Sequence, residues 1–335
     1  MHEMTKRERF QAVMNFQPFD RLPMIEWAPF WTLTVERWRS EGLPKDCDPY
    51  KHFGLEFYPR DWVCGRSMDV PQPESHGAGI IKDMDDYLRI KDQYLYPWPI
   101  IGHDVYVDMA QQQARGDIAL WFSMESYFWY PRALLGIERH LMAFYDQPEL
   151  MHRINSDLVE YHLKYIDKIC SYSIPDFMTF AEDMNYKNGC MISKALFDEF
   201  MMPYYNKSVQ RLNEYGVIPM IDSDGDVTES AHWFEEAGIR GVLPIERQAG
   251  NDINQLRSEH PEMVFIGHFD KLIMHKGEAA LRAEFERLLP AASNGGFIPS
   301  VDHQTPPNVS LDDYTLYIRL FREYAAEAGR LSQCK

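Results

Sequence analysis

Residues 216–246 read GVIPMIDSDGDVTESAHWFEEAGIRGVLPIE. An apolar run, GVIPMID, has the length and β-branched content of a buried strand. A polar loop follows, rich in aspartate and glycine. TESAHWFEEAG then carries a helical pattern that opens at Thr228 with capping potential and stops at Gly238. A second apolar run, GVLPIE, closes the unit. Strand, helix, strand is the element of an α/β fold, and the question is how often it repeats.

It repeats along most of the chain. LPMIE (22–26), GLEFY (54–58), IALWFSM (118–124) and DFMTFAED (176–183) have the same apolar form as GVIPMID (216–222) and GVLPIE (241–246). MVFIGHFD (263–270) and GGFIPSVD (295–302) follow. Between them, MISKALFDEFMMPYYNKSVQRLNEYG reads as a helix capped by Ser193 and ended by Gly216. GEAALRAEFERLLPAA, SLDDYTLYIRLFREYAAEAG and a long helix begun by Pro148 have the same phasing. Eight strands alternating with helices predict a single (β/α)8 TIM barrel over residues 1–335. It would carry an N-terminal helical extension and a loop-rich insertion after the second strand (59–117) with its own small hairpin. A doubly wound sheet is the rival, but no GxGxxG follows the first strand.

Composition narrows the function classes. The chain has 335 residues, 45% apolar and 14% aromatic, ample for a large core. Its net charge of −17 argues against nucleic acid or an anionic membrane as partner. No apolar run reaches a membrane-spanning length of about 20 residues. The charged start lacks the apolar core of a signal peptide, so a cytoplasmic protein is expected. Five cysteines without a CxxC pair predict neither a disulfide framework nor a thiolate zinc knuckle. Cys64 and Cys190 read as small buried hydrophobes before pocket residues.

A barrel of this kind builds its site at the C-terminal ends of its strands. Those ends carry Glu26 and Trp27, Arg60 and Asp61, Glu182 and Asp183, Asp222 and Asp224, Glu246 and Arg247, His268 and Asp270, then Asp302 and His303. A mouth rich in acids and histidines suits cation binding or proton transfer. Asp222 and Asp224 stand at i and i+2, on one face of an extended strand. With His303 or Glu246 they would hold zinc, manganese or magnesium. The alternatives are a metal-free polar pocket, or a turn in which Asp bonds backbone N–H groups. Asp226 fits the turn best. Trp121, Tyr130 and Arg132 fall in WFSMESYFWYPR, a ligand wall or core packing. His268 and His303 are acid/base candidates or structural donors.

Several segments resemble the uroporphyrinogen decarboxylase superfamily: TKRERFQAVMNFQPFDRLPM, AEDMNYKNGCMISKALFDEFMMPYY, EEAGIRGVLPIE, IGHFDK and GGFIPSVDHQTPPNVSLDDYTLY. They cover nearly the whole chain in the expected order, and the resemblance implies a (β/α)8 barrel. The superfamily includes cofactor-free decarboxylation of a tetrapyrrole and zinc-dependent methyl transfer involving corrinoid proteins and thiols. The resemblance is to a divergent member. EWAPFWTLTVERW replaces the decarboxylase's arginine-bearing segment, while RDWV places Asp61 at the catalytic aspartate and VDHQ places His303 at the late histidine. By the resemblance, the positions of the methyltransferases' zinc ligands are held here by Asp222, Asp224 and His303.

The leading expectation is a methyltransferase-like enzyme acting on a small or medium organic substrate, with a corrinoid protein as one partner and a homodimer as its assembly. Asp222, Asp224 and His303 would bind a metal or the substrate. Asp183 and Glu246 would orient it, beside Glu26, Trp27, His268 and the Trp121–Arg132 wall. The second expectation is a decarboxylase of a polycarboxylate, with Asp61 and His303 in the chemistry and Arg60, Arg132 and Arg247 as clamps. The third is a non-catalytic corrinoid or tetrapyrrole carrier.

Overall fold

The computed structural model describes residues 3–56, 58–98 and 102–334. Seven strands form one parallel sheet in chain order: β1 (Arg60–Val63), β2 (Trp121–Glu125), β3 (Phe177–Ala181), β4 (Ile218–Asp222), β5 (Gly241–Leu243), β6 (Val264–Phe269) and β7 (Phe297–Val301). Each neighbouring pair is parallel and in sequence order, as a barrel requires. β2 to β7 lie within or beside the expected runs. β2, β3, β5, β6 and β7 are buried along their whole length, which is why they read as apolar runs without alternation.

The expected first strand, 22–26, fills the gap between β1 and β7 without forming a regular ladder. Pro23 has no N–H to give. On one side the Met24 carbonyl accepts the Glu56 N–H at 2.8 Å. On the other, the Trp27 N–H donates to Ser300 Oγ at 3.3 Å, and its indole N–H to the Val301 carbonyl at 3.0 Å. Glu26 completes the closure. It accepts from Ser300 Oγ (2.8 Å), the Val301 N–H (3.1 Å) and the Tyr314 hydroxyl (2.8 Å). The barrel is thus closed by side chains as much as by backbone.

The expected second strand lies a few residues further on. A short helix, Pro49–Phe53, ends at Gly54 in the left-handed region, and regular pairing begins only at Arg60, after Pro59. Phe57, within the expected strand, lies outside the described residues. The insertion contains two helices, Met84–Tyr94 and His103–Ala114. The expected hairpin is not there among its described residues, which exclude 99–101. A two-strand hairpin instead follows β3, at Asn185–Tyr186 and Gly189–Cys190.

Local chemistry explains where the helices stop. Ser193 caps the Leu196 N–H, and Gly216 ends the run in the left-handed region, as expected. The run is nevertheless two helices, Lys194–Phe200 and Met202–Tyr215, because Pro203 cannot continue the first. The expected Thr228 cap is not used. The Thr228 N–H donates to Asp226 Oδ1 at 3.0 Å, making Asp226 the turn former, and the helix starts at Ser230.

Candidate active site

Carboxylates converge at the C-terminal ends of β3, β4, β5 and β7. Asp183 follows β3, Asp222 ends β4, Asp224 lies two residues on, Glu246 follows β5 and Asp302 follows β7. The first is held in a strained backbone conformation by its neighbours. Asp183 has φ 37, a region side-chain-bearing residues seldom occupy. Arg132 donates to its carbonyl at 3.3 Å, and its carboxylate accepts the Asp224 N–H at 3.0 Å. Glu246 accepts the Gly225 N–H at 3.0 Å, so two acids from neighbouring loops fix the DSDG turn.

Three cations answer five acids. Lys271 Nζ lies 3.3 Å from Glu246 and 3.6 Å from Asp302. Arg60 lies 3.9 Å from Asp222 and is held between the Trp62 and Trp121 rings, at 5.1 and 5.0 Å from their centroids. Arg132 rests on Trp129 at 5.0 Å. Burial, then repulsion from Asp183, pushes the Asp222 carboxyl up to about 8, against the pull of Arg60. Burial and the same neighbour raise Asp224 to about 7. Burial raises Asp302 to about 7 despite Lys271. Asp183 is raised by burial as well.

His303 stands at the rim. Its Nδ1 accepts the Gln304 N–H at 2.8 Å, which leaves the proton on Nε2, 3.7 Å from Asp224 Oδ2. Burial and Lys271 depress its pKa, so the ring is neutral at pH 7. Trp27 packs edge-on against it at 5.8 Å.

The structure therefore gathers Asp183, Asp222, Asp224, Glu246, His303, Trp27, Arg60, Trp121 and Arg132 at or beneath one mouth. Other expected residues do not reach it. Asp61 accepts the Tyr106 hydroxyl at 2.6 Å, on the insertion side. Adjacent strand residues point to opposite faces, so Arg60 and Asp61 cannot both face inward. His268 also turns away. Gly267 and His268 have φ 112 and 68, a left-handed bend within β6. The ring is buried, its Nδ1 2.9 Å from the Ile245 carbonyl, and its Nε2 takes the Ile253 N–H at 3.3 Å. Burial lowers its pKa to about 4. Tyr130 is fully buried and donates to the Gly65 carbonyl at 2.8 Å, which makes it packing under the insertion. Glu26 spends its acceptors on barrel closure. Arg247 turns its guanidinium to the Asn251 carbonyl at 2.8 Å.

Two contributors lacked a role in the sequence reading. Lys271 sits in a 3-10 turn just past β6, and Trp62 shares the inward face with Arg60. Their signals were there: a lone cation after an acid-rich strand end, and the i, i+2 spacing of RDW.

The zinc-ligand positions do not assemble. Asp224 approaches His303, but Asp222 faces Arg60, and a guanidinium 3.9 Å away opposes a cation there. Among the described residues, the three are not a set whose ligand atoms lie within 4.8 Å of one another. They do not fit a three-ligand metal cage in this arrangement.

The uroporphyrinogen decarboxylase (URO-D) family model matches residues 107–324, most of the chain. The chain belongs to the uroporphyrinogen decarboxylase family. The match spans β2 to β7, and with them the ends that carry all five mouth acids. A methyltransferase from Methanosarcina mazei has the same fold, with a TM-score of 0.64 at 15% identity over 96% of this chain and 99% of that one. A chain from the structure of two fungal beta-1,4-galactanases gives 0.41 at 9% identity over 88% of this chain and 99% of that one. A beta-1,4-D-mannanase from Cryptopygus antarcticus gives 0.38 at 13% identity over 80% of each chain. No curated protein sequence matches. No helix of the described residues is long and apolar enough to cross a membrane.

The raised carboxyls make this family member's stability depend on pH. Folded Asp222, Asp224 and Asp302 keep protons to pH 7–8 that the unfolded chain releases near pH 4. The unfolded state then binds fewer protons, so stability falls as pH rises. Calorimetry at pH 5.5 and 8.5 should show Tm lower by several degrees at pH 8.5. Asp222→Asn should shrink that difference.

Proposed function

We propose that the chain is a methyltransferase-like enzyme that takes a neutral methylated substrate at this mouth, with Asp222 as general acid. One observation carries the reading: five carboxylates converge where none of Arg60, Arg132 and Lys271 stands clear of neighbouring protein groups. A polycarboxylate needs unengaged cations. Here each of the three cations is already engaged.

The residues suit the proton demand of methyl transfer. When a nucleophile takes the methyl group from R–X–CH3, the X–C bond breaks and X keeps the electron pair. A protonated carboxyl beside X supplies the proton that makes R–XH the leaving species. Asp222 holds its proton to about pH 8, well placed to give it up near neutrality. Asp224 and His303 form the adjoining pair through which the proton is restored from solvent. The Trp62–Arg60–Trp121 stack orients Asp222 and walls the pocket. In this reading the methyl acceptor is the reduced corrinoid of a partner protein.

The test sets the two family chemistries side by side. Methylated phenols, amines and thiols are offered with cob(I)alamin, and formation of methylcobalamin is followed by absorbance. Uroporphyrinogen is offered separately and released carbon dioxide is measured. Methylcobalamin formation without decarboxylation is expected. Carbon dioxide release from uroporphyrinogen, with no methyl transfer from any donor, would overturn the reading.

A further inference from the structure

We propose a second site, far from the mouth, in which His232, Glu235 and His260 bind one divalent cation of the zinc class. Among the described residues this is the one group of three whose ligand atoms all lie within 4.8 Å of one another. Its placement follows from the topology. Glu235 lies in the last turn of the helix Ser230–Glu236, which leads into β5. His260 caps the end of the helix Ile253–Glu259, which leads into β6. Both helices therefore end at the N-terminal face of the barrel, opposite the acidic mouth.

The donor set is specific. His232 and Glu235 are one helical turn apart, at i and i+3, so both project from one face. His260 comes from the neighbouring helix and is buried. Its Nδ1 lies 2.7 Å from Glu235 Oε2, and its ring centroid 6.2 Å from that of His232. Two imidazole nitrogens and a carboxylate oxygen suit zinc and its borderline neighbours better than magnesium or calcium. Tetrahedral ligation with bonds of about 2.0–2.2 Å needs ligand atoms roughly 3.3 Å apart. The Glu235–His260 pair is already inside that separation. His232 supplies the remaining movement, because its side chain is 66% exposed and needs only a rotamer change. Its present contact, 3.2 Å to Glu236, is a surface ion-pair geometry of little strength, and Lys194 holds Glu236 at 2.7 Å when His232 leaves. Three protein ligands leave the fourth position to water, or to a carboxylate from another molecule.

Bound there, the cation would fasten the ends of two adjacent barrel helices. The site is independent of the proposed methyl transfer. The chelator-stripped full chain is titrated with zinc against a chromophoric competitor, and thermal unfolding is followed with and without zinc. One equivalent should bind, and Tm should rise by about 3 °C or more at saturation. His232→Ala, an exposed change that leaves the fold intact, should weaken binding at least about tenfold, no less than losing a partner that only orients a ligand. Glu235→Gln should do the same, whereas Asp224→Asn should bind zinc as the parent does. Absence of stoichiometric binding would overturn the proposal. So would binding that survives both His232→Ala and Glu235→Gln, or that is lost in Asp224→Asn alone.

Discussion

Asp222→Asn should reduce methyl-transfer turnover by on the order of 10²–10⁴-fold, the usual worth of a positioned general acid. Asparagine keeps the shape and the neighbours of Asp222 but has no proton to release. KM should change far less than kcat, because Trp62, Trp121 and the other mouth acids still form the pocket. The wild-type rate should fall as pH rises through about 8, where Asp222 loses its proton, and the variant's residual rate should lack that limb. Stopped-flow kinetics of methylcobalamin formation between pH 6 and 9 give both quantities. An equal loss in kcat and stability would instead mark Asp222 as a structural residue.

Glu26→Ala should cost about 3 kcal/mol of folding stability. The carboxylate joins the closing segment to β7 through Ser300 and Val301, and to the C-terminal helix Leu311–Ser332 through Tyr314. Removing it leaves those buried donors unpaired, each worth about 1–3 kcal/mol if no water replaces the bond. Tm should fall by about 4 °C. Burial raises the Glu26 pKa to about 7, so it is partly protonated near neutrality. Glu26→Gln should therefore recover much of the loss. Urea denaturation of both variants separates this from a substrate-binding role, which would leave the midpoint unmoved.

The barrel was legible because its buried strands are continuous apolar runs between polar loops. β3, β4, β6 and β7 needed no tertiary information. The closing stave was legible as an apolar stretch, but not as one lacking a ladder. Its partners, Glu56 and Ser300, lie far along the chain. The mouth acids were legible because each ends a strand that the fold aims the same way. Direction failed where one residue decides it. Arg60 and Asp61 are adjacent, and the sequence does not say which faces inward. His268 is turned out by two successive left-handed residues, and only Gly267 of the pair hints at that. The hairpin after β3 was hidden in a segment whose helical continuation dominates the pattern. The His232–Glu235–His260 group was invisible in sequence, because His260 lies a strand and a helix beyond its partners.

The central claim is that a mouth carboxyl keeps its proton to neutral pH and above. Carboxyl-carbon NMR of protein labelled at aspartate, with the Asp222 signal assigned by its loss in Asp222→Asn, measures this directly. The account predicts a titration midpoint near 8 for Asp222. A midpoint near 4, the ordinary aspartate range, would contradict it.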